Sequence, residues 1–274
     1  MNDVAGCVQA GSGEPVVFVH GSYATTSTWK KMMAALAPTR HCIAIQLPGH
    51  CGTPDPDDFA QPTIETELAL IERVVAQLTD QPIHLVGHSY GGVVALALAL
   101  KGSVPIRELT LFEPVATWVL NAVGDAAMQA HVDAFLERYR HDAAAQVPDA
   151  WSQVIAFWGG AADVDKWPAH VRVGMAELMT NNLRHWDVCT RSTHTQSDLQ
   201  GLSVPTRIAH GSASNPVACA IAAHLHAQLP HSSLQVIEGA SHTLVTSHPD
   251  ECLAVLTAGP VMGASQTPSS PSVA

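Results

Sequence analysis

The chain has 274 residues, of which 47% are hydrophobic and 14% charged, a globular composition that excludes a largely disordered chain. Its formal charge is −11, from 13 basic and 24 acidic residues. Because this charge repels phosphate backbones and anionic lipids, we expect neither a nucleic-acid partner nor a membrane partner.

Short apolar segments, each bounded by turn residues, predict six strands along the chain. They are Pro15–Val19, His41–Ile45, Pro82–Val86, Leu109–Phe112, Pro205–Ala209 and Leu234–Ile237. Because these runs are nearly continuous, they are typical of parallel strands buried on both faces. Helical patterns lie between or after them, at Ser27–Leu36, Ile64–Leu78, Gly91–Leu100, Ala218–Leu229 and Pro249–Thr257. The alternation predicts an α/β fold with a doubly wound, mostly parallel sheet.

One long region interrupts this alternation. Residues 115–200 contain helical and loop patterns, no convincing strand, and five of the six tryptophans. We predict that they form a helical lid, inserted into a core of residues 1–114 and 201–258. Such a lid would cover the carboxyl ends of the strands, where open α/β sheets bind ligands. Residues 259–274 are uncharged and rich in small residues, which predicts a disordered tail.

The strongest chemical motif is Gly-His-Ser-Tyr-Gly-Gly at residues 87–92, between a predicted strand and a predicted helix. A serine at a sharp strand-to-helix turn projects its hydroxyl beyond the edge of the sheet. Glycines at positions 87 and 91 remove side chains that would collide in so tight a turn. The motif therefore indicates that Ser89 is a nucleophile.

A histidine that could activate this serine follows the last predicted strand. His242 ends the sequence Glu-Gly-Ala-Ser-His and is placed to reach back over Ser89 as a general base. His248 starts the final helix instead, so it is the weaker candidate.

A loop after the first predicted strand is the candidate for stabilising negative charge. It has the sequence His-Gly-Ser-Tyr at residues 20–23. The backbone N–H of Ser22, paired with that of Tyr90, would form an oxyanion hole. The side chain of Ser22 or Tyr23 is a candidate for a further contribution to this hole, although a merely solvated loop is an equal interpretation. Tyr23 is also a predicted substrate-binding residue. We expect His20 to brace the loop without transferring a proton.

The order of these motifs resembles that of the α/β-hydrolase superfamily. The matching segments are His20-Gly21, Leu47-Pro48-Gly49-His50, Gly87-x-Ser89-x-Gly91 and Gly239-x-x-His242, within a similarity from Ala10 to about Leu256. The resemblance implies a serine, an acid and a histidine in that chain order, and hydrolysis through an acyl-enzyme without a cofactor. One departure from the family is a short N-terminus, with little room for the usual first hairpin.

The acid is the more serious departure. The family's commonest acid position follows the strand Pro205–Ala209, but residues 210–216 contain no carboxylate. Glu113 follows the strand after the nucleophile's helix and therefore lies at the same edge of the sheet; certain dehalogenases among the relatives take their acid from this position. We predict that Glu113 completes the triad, since a protonated histidine needs an anion beside it. The alternative is that Glu113 anchors the lid, while His242 works with Asn215 or with water.

The predicted activity is that of a serine hydrolase for a small, largely apolar ester, thioester or lactone, because the lid is aromatic and no basic patch is present. Trp118, close after Glu113, is the predicted substrate contact. Three alternatives stay open: carbon–carbon bond hydrolysis, cofactor-free peroxidation or oxygenation, and a small-molecule receptor on the hydrolase fold. A dehalogenase is disfavoured, because its alkyl-enzyme mechanism needs a carboxylate where Ser89 stands.

Cofactor use and cellular location are expectations from short patterns. The first residues have neither a basic start nor an apolar stretch, and the longest apolar run, residues 93–100, is too short to cross a bilayer. Six cysteines occur without a CxxC pair, and sixteen histidines occur without an HExxH motif. We therefore expect a cytoplasmic protein with reduced thiols, no metal and no cofactor.

Overall fold

Seven strands form one sheet in the computed structural model, which describes residues 6–159, 164–259 and 261. The strands are β1 (Cys7–Ala10), β2 (Glu14–Val19), β3 (Arg40–Ile45), β4 (Ile83–His88), β5 (Ile106–Phe112), β6 (Thr206–Gly211) and β7 (Ser232–Ile237). Their order in the sheet is β1-β3-β2-β4-β5-β6-β7. Every neighbouring pair is parallel except β1 and β3, which are antiparallel. The predicted fold class is confirmed.

Helices follow most strands, as the sequence predicts. They are α1 (Lys30–Leu36), α2 (Glu65–Leu78), α3 (Tyr90–Lys101), α4 (Trp118–Val123), α5 (Ala126–Ala144), α6 (Ser152–Gly159), α7 (Ala169–Glu177), α8 (Met179–Thr190), α9 (Gln196–Gly201), α10 (Pro216–Gln228), α11 (Leu244–Ser247) and α12 (Pro249–Thr257). Helix α1 continues a 3₁₀ turn over Thr26–Trp29, and Thr25 caps that turn by accepting a hydrogen bond from the N–H of Ser27.

Strand β1 was not predicted, and its absence from the sequence analysis is an error. Strand β1 forms no hairpin with β2, the next strand in the chain, because it crosses beyond β2 and pairs with β3 at the edge of the sheet. Gly11, at φ 76°, makes the connection close: a Cβ there would overlap carbonyl oxygens of Ala37 and Arg40. A four-residue edge strand with Val8 exposed carries no hydrophobic pattern for sequence analysis to detect.

The central strands are buried on both faces, which explains their continuous apolar sequences. All six residues of β4 and five of six in β2 are buried, and one apolar cluster packs on each side of the sheet. Helix α3 follows β4 directly and is buried along nearly its whole length. The turn between β4 and α3 is therefore held from both sides, which fixes the position of Ser89.

Residues 115–200 contain helices and loops, and no strand is found in the part of this region that the structure describes. Arg184 of α8 ties the region to the core: its guanidinium is buried and pairs with Asp58 and, at 2.5 Å, with Glu67 of α2. The role of this region as a lid stays a prediction. The predicted tail lies outside the described residues, apart from residues 259 and 261.

No helix in the described ranges combines the length and apolarity needed to cross a membrane.

Candidate active site

Ser89 occupies a strained turn between β4 and α3. Its backbone has φ 55° and ψ −123°, in a region that residues other than glycine rarely adopt. A Cβ on Gly87 would overlap the carbonyl oxygen of Gly91, and a Cβ on Gly91 would overlap that of Val19. Gly87 therefore permits the close turn for the steric reason predicted from the sequence, whereas Gly91 permits the close approach of α3 to the end of β2.

A continuous chain of hydrogen bonds joins the three residues predicted to be catalytic. His242, in the loop after β7, lies with its Nε2 atom 2.9 Å from Ser89 Oγ. Its Nδ1 atom lies 2.8 Å from Glu113 Oε2. Glu113 directly follows β5 and has a φ of 42°. It is therefore a second residue with a strained backbone, and it lies at the end of the hydrogen-bonded series opposite Ser89. Three loops at the carboxyl edge of the sheet thus bring these side chains together.

The surroundings of Glu113 favour its ionised form. The residue is fully buried, and its Oε1 atom accepts hydrogen bonds from the N–H of Gly211, at 2.8 Å, and from the hydroxyl of Ser214. Burial alone would raise the pKa of Glu113, but hydrogen bonding to His242 and these two donors holds the pKa below its usual value. Glu113 can therefore accept a hydrogen bond from the imidazole as an anion.

Asn215, the alternative partner for His242, has other bonds. Its Oδ1 atom accepts from the N–H of Val217, capping α10, and its Nδ2 atom donates to the carbonyl oxygen of Phe157 at 2.5 Å. Ser214, one residue earlier, is the side chain of this loop that reaches Glu113. The structure thus places Asn215 at a helix cap and Ser214 in the candidate site.

His88 supports the loop that carries His242, and the sequence analysis did not identify it. Its Nε2–H donates to the backbone carbonyl of His242 at 2.8 Å. Burial lowers the pKa of His88 to about 3, so the ring stays neutral while it donates. On the cavity side, the ring of Trp158 stacks on His242 with centroids 5.4 Å apart. These contacts restrict the imidazole to the position between Ser89 and Glu113.

The loop predicted to form an oxyanion hole lies against Ser89. A Cβ on Gly21 would come within 2.9 Å of Ser89 Cβ, so only glycine allows this approach. The carbonyl oxygen of Ser22 accepts a hydrogen bond from His50 at 2.5 Å, and the hydroxyl of Ser22 contacts His185 at 2.7 Å. Tyr90 contributes the first N–H of α3, and the first N–H groups of a helix have no acceptor within it.

His20 stands behind this loop as a brace. Its Nδ1–H donates to the carbonyl oxygen of Gly21 at 2.8 Å, while Nε2 accepts from the N–H of Leu47 at 3.2 Å. Burial lowers the pKa of His20 to about 3, which keeps it neutral. Histidines are frequent around the site, yet no group of three or more His, Cys, Asp or Glu side chains in the described part of the chain could hold a metal ion.

A cavity of about 370 Å³ opens over Ser89. Among the residues that the structure describes, those that line it include no Asp, Glu, Lys or Arg. Helices α6 and α8 supply an apolar wall with Val154, Ile155, Trp158 and Trp186, whereas the four threonines Thr25, Thr28, Thr243 and Thr246 line another part. Tyr23, the predicted substrate-binding residue, lines the cavity, with its hydroxyl 3.2 Å from that of Tyr139 in α5.

Trp118 does not reach this cavity, contrary to the prediction. The side chain is 4% exposed, is absent from the cavity lining, and lies beside the ring of His194 with centroids 5.6 Å apart. Although it follows Glu113 closely in the chain, Trp118 is the first residue of α4, and its side chain is packed in the interior. Trp158 and Trp186, farther along the same region, line the cavity in its place.

This chain is similar to a family profile, to known proteins and to solved structures. The profile of the Alpha/beta hydrolase family matches residues 16–255. A putative non-heme chloroperoxidase of Synechocystis is 26% identical over 261 residues, which cover 88% of this chain and 89% of that protein. The structure of a bromoperoxidase from Bacillus anthracis is similar with a TM-score of 0.70 at 19% identity, covering 91% of this chain and 92% of that one.

A shorter similarity connects the chain to a longer plant protein. The probable lysophospholipase BODYGUARD 1 of Arabidopsis thaliana is 35% identical over 107 residues, which are 37% of this chain. The match covers 23% of the plant protein's own length. It therefore concerns a shared segment and not the whole of either protein.

Proposed function

Because this chain belongs to the alpha/beta hydrolase family and is an enzyme of the hydrolase type, we propose that it cleaves a small, neutral ester, thioester or lactone through an acyl-enzyme. The observation that carries this proposal is the hydrogen-bonded chain from Glu113 through His242 to Ser89, which ends in an uncharged cavity. The relatives named above carry different activities, so the choice of reaction depends on the site.

Acylation begins at Ser89. Its Oγ attacks the carbonyl carbon of the substrate while His242 Nε2, 2.9 Å away, accepts the hydroxyl proton. Glu113 holds the proton on Nδ1 and stabilises the imidazolium that forms. The imidazolium then gives its Nε2 proton to the departing alcohol, thiol or lactone oxygen, and the acyl group stays on Ser89.

The negative oxygen of the tetrahedral intermediate needs donors that are already in place. The N–H groups of Ser22 and Tyr90 supply them, and support comes from the bonds that fix the carbonyl and hydroxyl of Ser22. The N-terminal end of α3 adds a favourable partial positive charge, because Tyr90 is the first residue of that helix.

Deacylation repeats these steps with water. His242 takes a proton from the water that attacks the acyl carbon, and then returns a proton to Ser89 Oγ. The cavity supports the proposed substrate class, because its volume of about 370 Å³ suits a small molecule and no charged side chain is found among the described residues that line it.

An ester panel tests the proposal. Purified protein is assayed with p-nitrophenyl esters of increasing acyl length, a lactone and a thioester. We expect turnover of the shorter esters, and a loss on the order of 10⁶ in kcat for Ser89→Ala. Ser103→Ala, beyond the other end of α3, is the matched control and should retain parental turnover. Absence of turnover on the whole panel, or unchanged turnover by Ser89→Ala, would contradict the proposal.

A further inference from the structure

One face of helix α8 forms part of the cavity wall. Asn182, His185, Trp186 and Cys189 all line the cavity, and their spacing of three, four and seven residues places them on one side of a helix. The side chain of Arg184 points in another direction, toward Asp58 and Glu67, and forms ion pairs with both carboxylates. The cavity-facing stripe is apolar at its C-terminal end and carries an amide near its start.

The amide of Asn182 is held in a fixed orientation. The residue is 3% exposed, and its Oδ1 atom accepts a hydrogen bond from the hydroxyl of Tyr139 at 3.0 Å. Tyr139 in turn contacts the hydroxyl of Tyr23, 3.2 Å away. Because Oδ1 points toward these hydroxyl groups, the two N–H donors of Nδ2 point away from them.

These donors are unused within the described part of the chain. No hydrogen bond from Asn182 Nδ2 is found there, whereas the neighbouring Asn181 donates to the carbonyl oxygen of Pro48 at 2.9 Å. Asn182 Nδ2 is also not among the enclosed polar atoms that lack a partner, so it is open to the cavity that the residue lines. A donor that faces the cavity is available to a ligand oxygen, and a ligand that fills the cavity without such an oxygen would bury the donor unpaired, which is unfavourable.

The charges near the Asn182 amide indicate whether the ligand oxygen that it binds is charged or neutral. No Lys or Arg is found among the cavity-lining residues in the described ranges, so a ligand carboxylate would be buried there without a counter-charge. His185 is neutral, because burial lowers its pKa well below the usual value. The acceptor that fits is therefore uncharged, such as a ketone oxygen.

We propose that Asn182 is a substrate-binding residue, and that the substrate carries a second neutral acceptor oxygen in addition to its scissile carbonyl. The inference rests on the proposed ester hydrolysis and narrows its substrate class to oxo esters and similar compounds. Nδ2 of Asn182 donates to the second oxygen, while the rest of the acyl chain lies against Trp158 and Trp186.

Binding of matched ligands tests this inference. The Ser89→Ala protein is titrated with methyl 3-oxobutanoate, 4-oxopentanoate and 5-oxohexanoate, and with the methyl esters of the corresponding plain acids. Quenching of the cavity tryptophans reports occupancy. At least one oxo ester should bind about threefold to tenfold more tightly than its plain counterpart, the effect of one neutral hydrogen bond. A purely apolar cavity would give the opposite order, because a ketone is less hydrophobic.

Two substitutions in the same background assign the effect to the amide. Asn182→Leu should abolish the preference, whereas Asn181→Leu, the same change one residue earlier on α8, should keep it. Should Asn182→Leu not fold, Tyr139→Phe releases the amide and should weaken the preference. A parent that prefers no oxo ester, a preference that survives Asn182→Leu, or a preference that Tyr139→Phe leaves undiminished would overturn the inference.

The outcome is separable from that of the proposed function. Hydrolysis of plain p-nitrophenyl esters tests the catalytic proposal alone, whereas binding to Ser89→Ala needs no turnover. Protein that hydrolyses plain esters without any oxo preference contradicts only the role of Asn182. Protein that prefers oxo esters in binding but hydrolyses nothing supports Asn182 and contradicts the catalytic proposal.

Discussion

Replacing Glu113 by Gln removes a charge while it keeps the size of the side chain. The amide oxygen can still accept from Gly211 and Ser214, so the change falls on the contact with His242. An amide NH₂ there faces Nδ1 as a donor and forces the proton of the neutral ring onto Nε2. That nitrogen lies 2.9 Å from Ser89 Oγ and could then no longer accept the serine proton.

The expected loss follows from this change of tautomer. Removal of the charge from a triad's acid lowers kcat by about 10⁴, which corresponds to about 5 kcal/mol in activation free energy. The assay is kcat for the best ester of the panel, with thermal unfolding as the test of folding. Glu108→Gln is the matched control: this carboxylate lies on the same strand, pairs with Arg207 at 2.5 Å, and should be dispensable for turnover.

A relocated carboxylate should restore part of the lost activity. From the sequence, Asn215→Asp is the expected rescue, but Asn215 caps α10, so we now place the rescue at Ser214. Glu113→Gln combined with Ser214→Asp should exceed the single variant in kcat. A Glu113→Gln enzyme within a few-fold of the parent would refute the role of Glu113 in the triad.

Three further perturbations have defined outcomes. Trp158→Ala should shift the acyl-length preference by about 10–200-fold, whereas Trp118→Ala should lower only the melting temperature; a larger specificity shift in Trp118→Ala would contradict the cavity assignment. Gly87→Ala should yield little folded protein in a solubility and circular-dichroism test, because its Cβ overlaps helix backbone, and a normally folded variant would count against the tight turn. Burial opposes ionisation of Asp58, but hydrogen bonds from Arg184 lower its pKa to about 2, from about 4 in an unfolded chain. The resulting stabilisation, about 2 kcal/mol, is complete above pH 4 and is lost as the pH falls toward 2. In urea titrations, the free energy of unfolding of Asp58→Asn should therefore be lower than that of the parent at pH 7, and the two values should converge in acid.

Local patterns were sufficient to predict the sheet and the turn that carries Ser89. Continuous apolar runs located β2 to β6, because largely buried strands leave that pattern in the sequence. A short apolar run also located β7, although that strand is mostly half-buried and Val236 is exposed. The edge strand β1 escaped detection, since a short, half-exposed strand needs no such run. Glu113 was placed beside His242 by elimination and by the shared edge of a parallel sheet, which is a topological argument and needs no side-chain detail.

The cavity wall is formed by packing between segments that are distant in the sequence. Closeness to Glu113 in the sequence therefore does not predict which residues line the cavity. Trp118 is close to Glu113 in the chain but packs away from the cavity, whereas Trp158 arrives from α6 and stacks on His242. A usable pattern did exist in α8, where Asn182 and His185 share a helical face with two apolar residues. The pattern indicates a common face, but only the fold specifies that this face meets Ser89.

The most direct test of the account is to identify the residue that reacts with a fluorophosphonate. After treatment of the native protein, peptide mass spectrometry should find a single adduct, on Ser89. Ser89→Ala should take up no label, while denatured parent protein should not react either, because the reactivity depends on His242 and Glu113 being in place. An adduct on another residue, or a native protein that does not react, would contradict the assignment of Ser89 as the nucleophile.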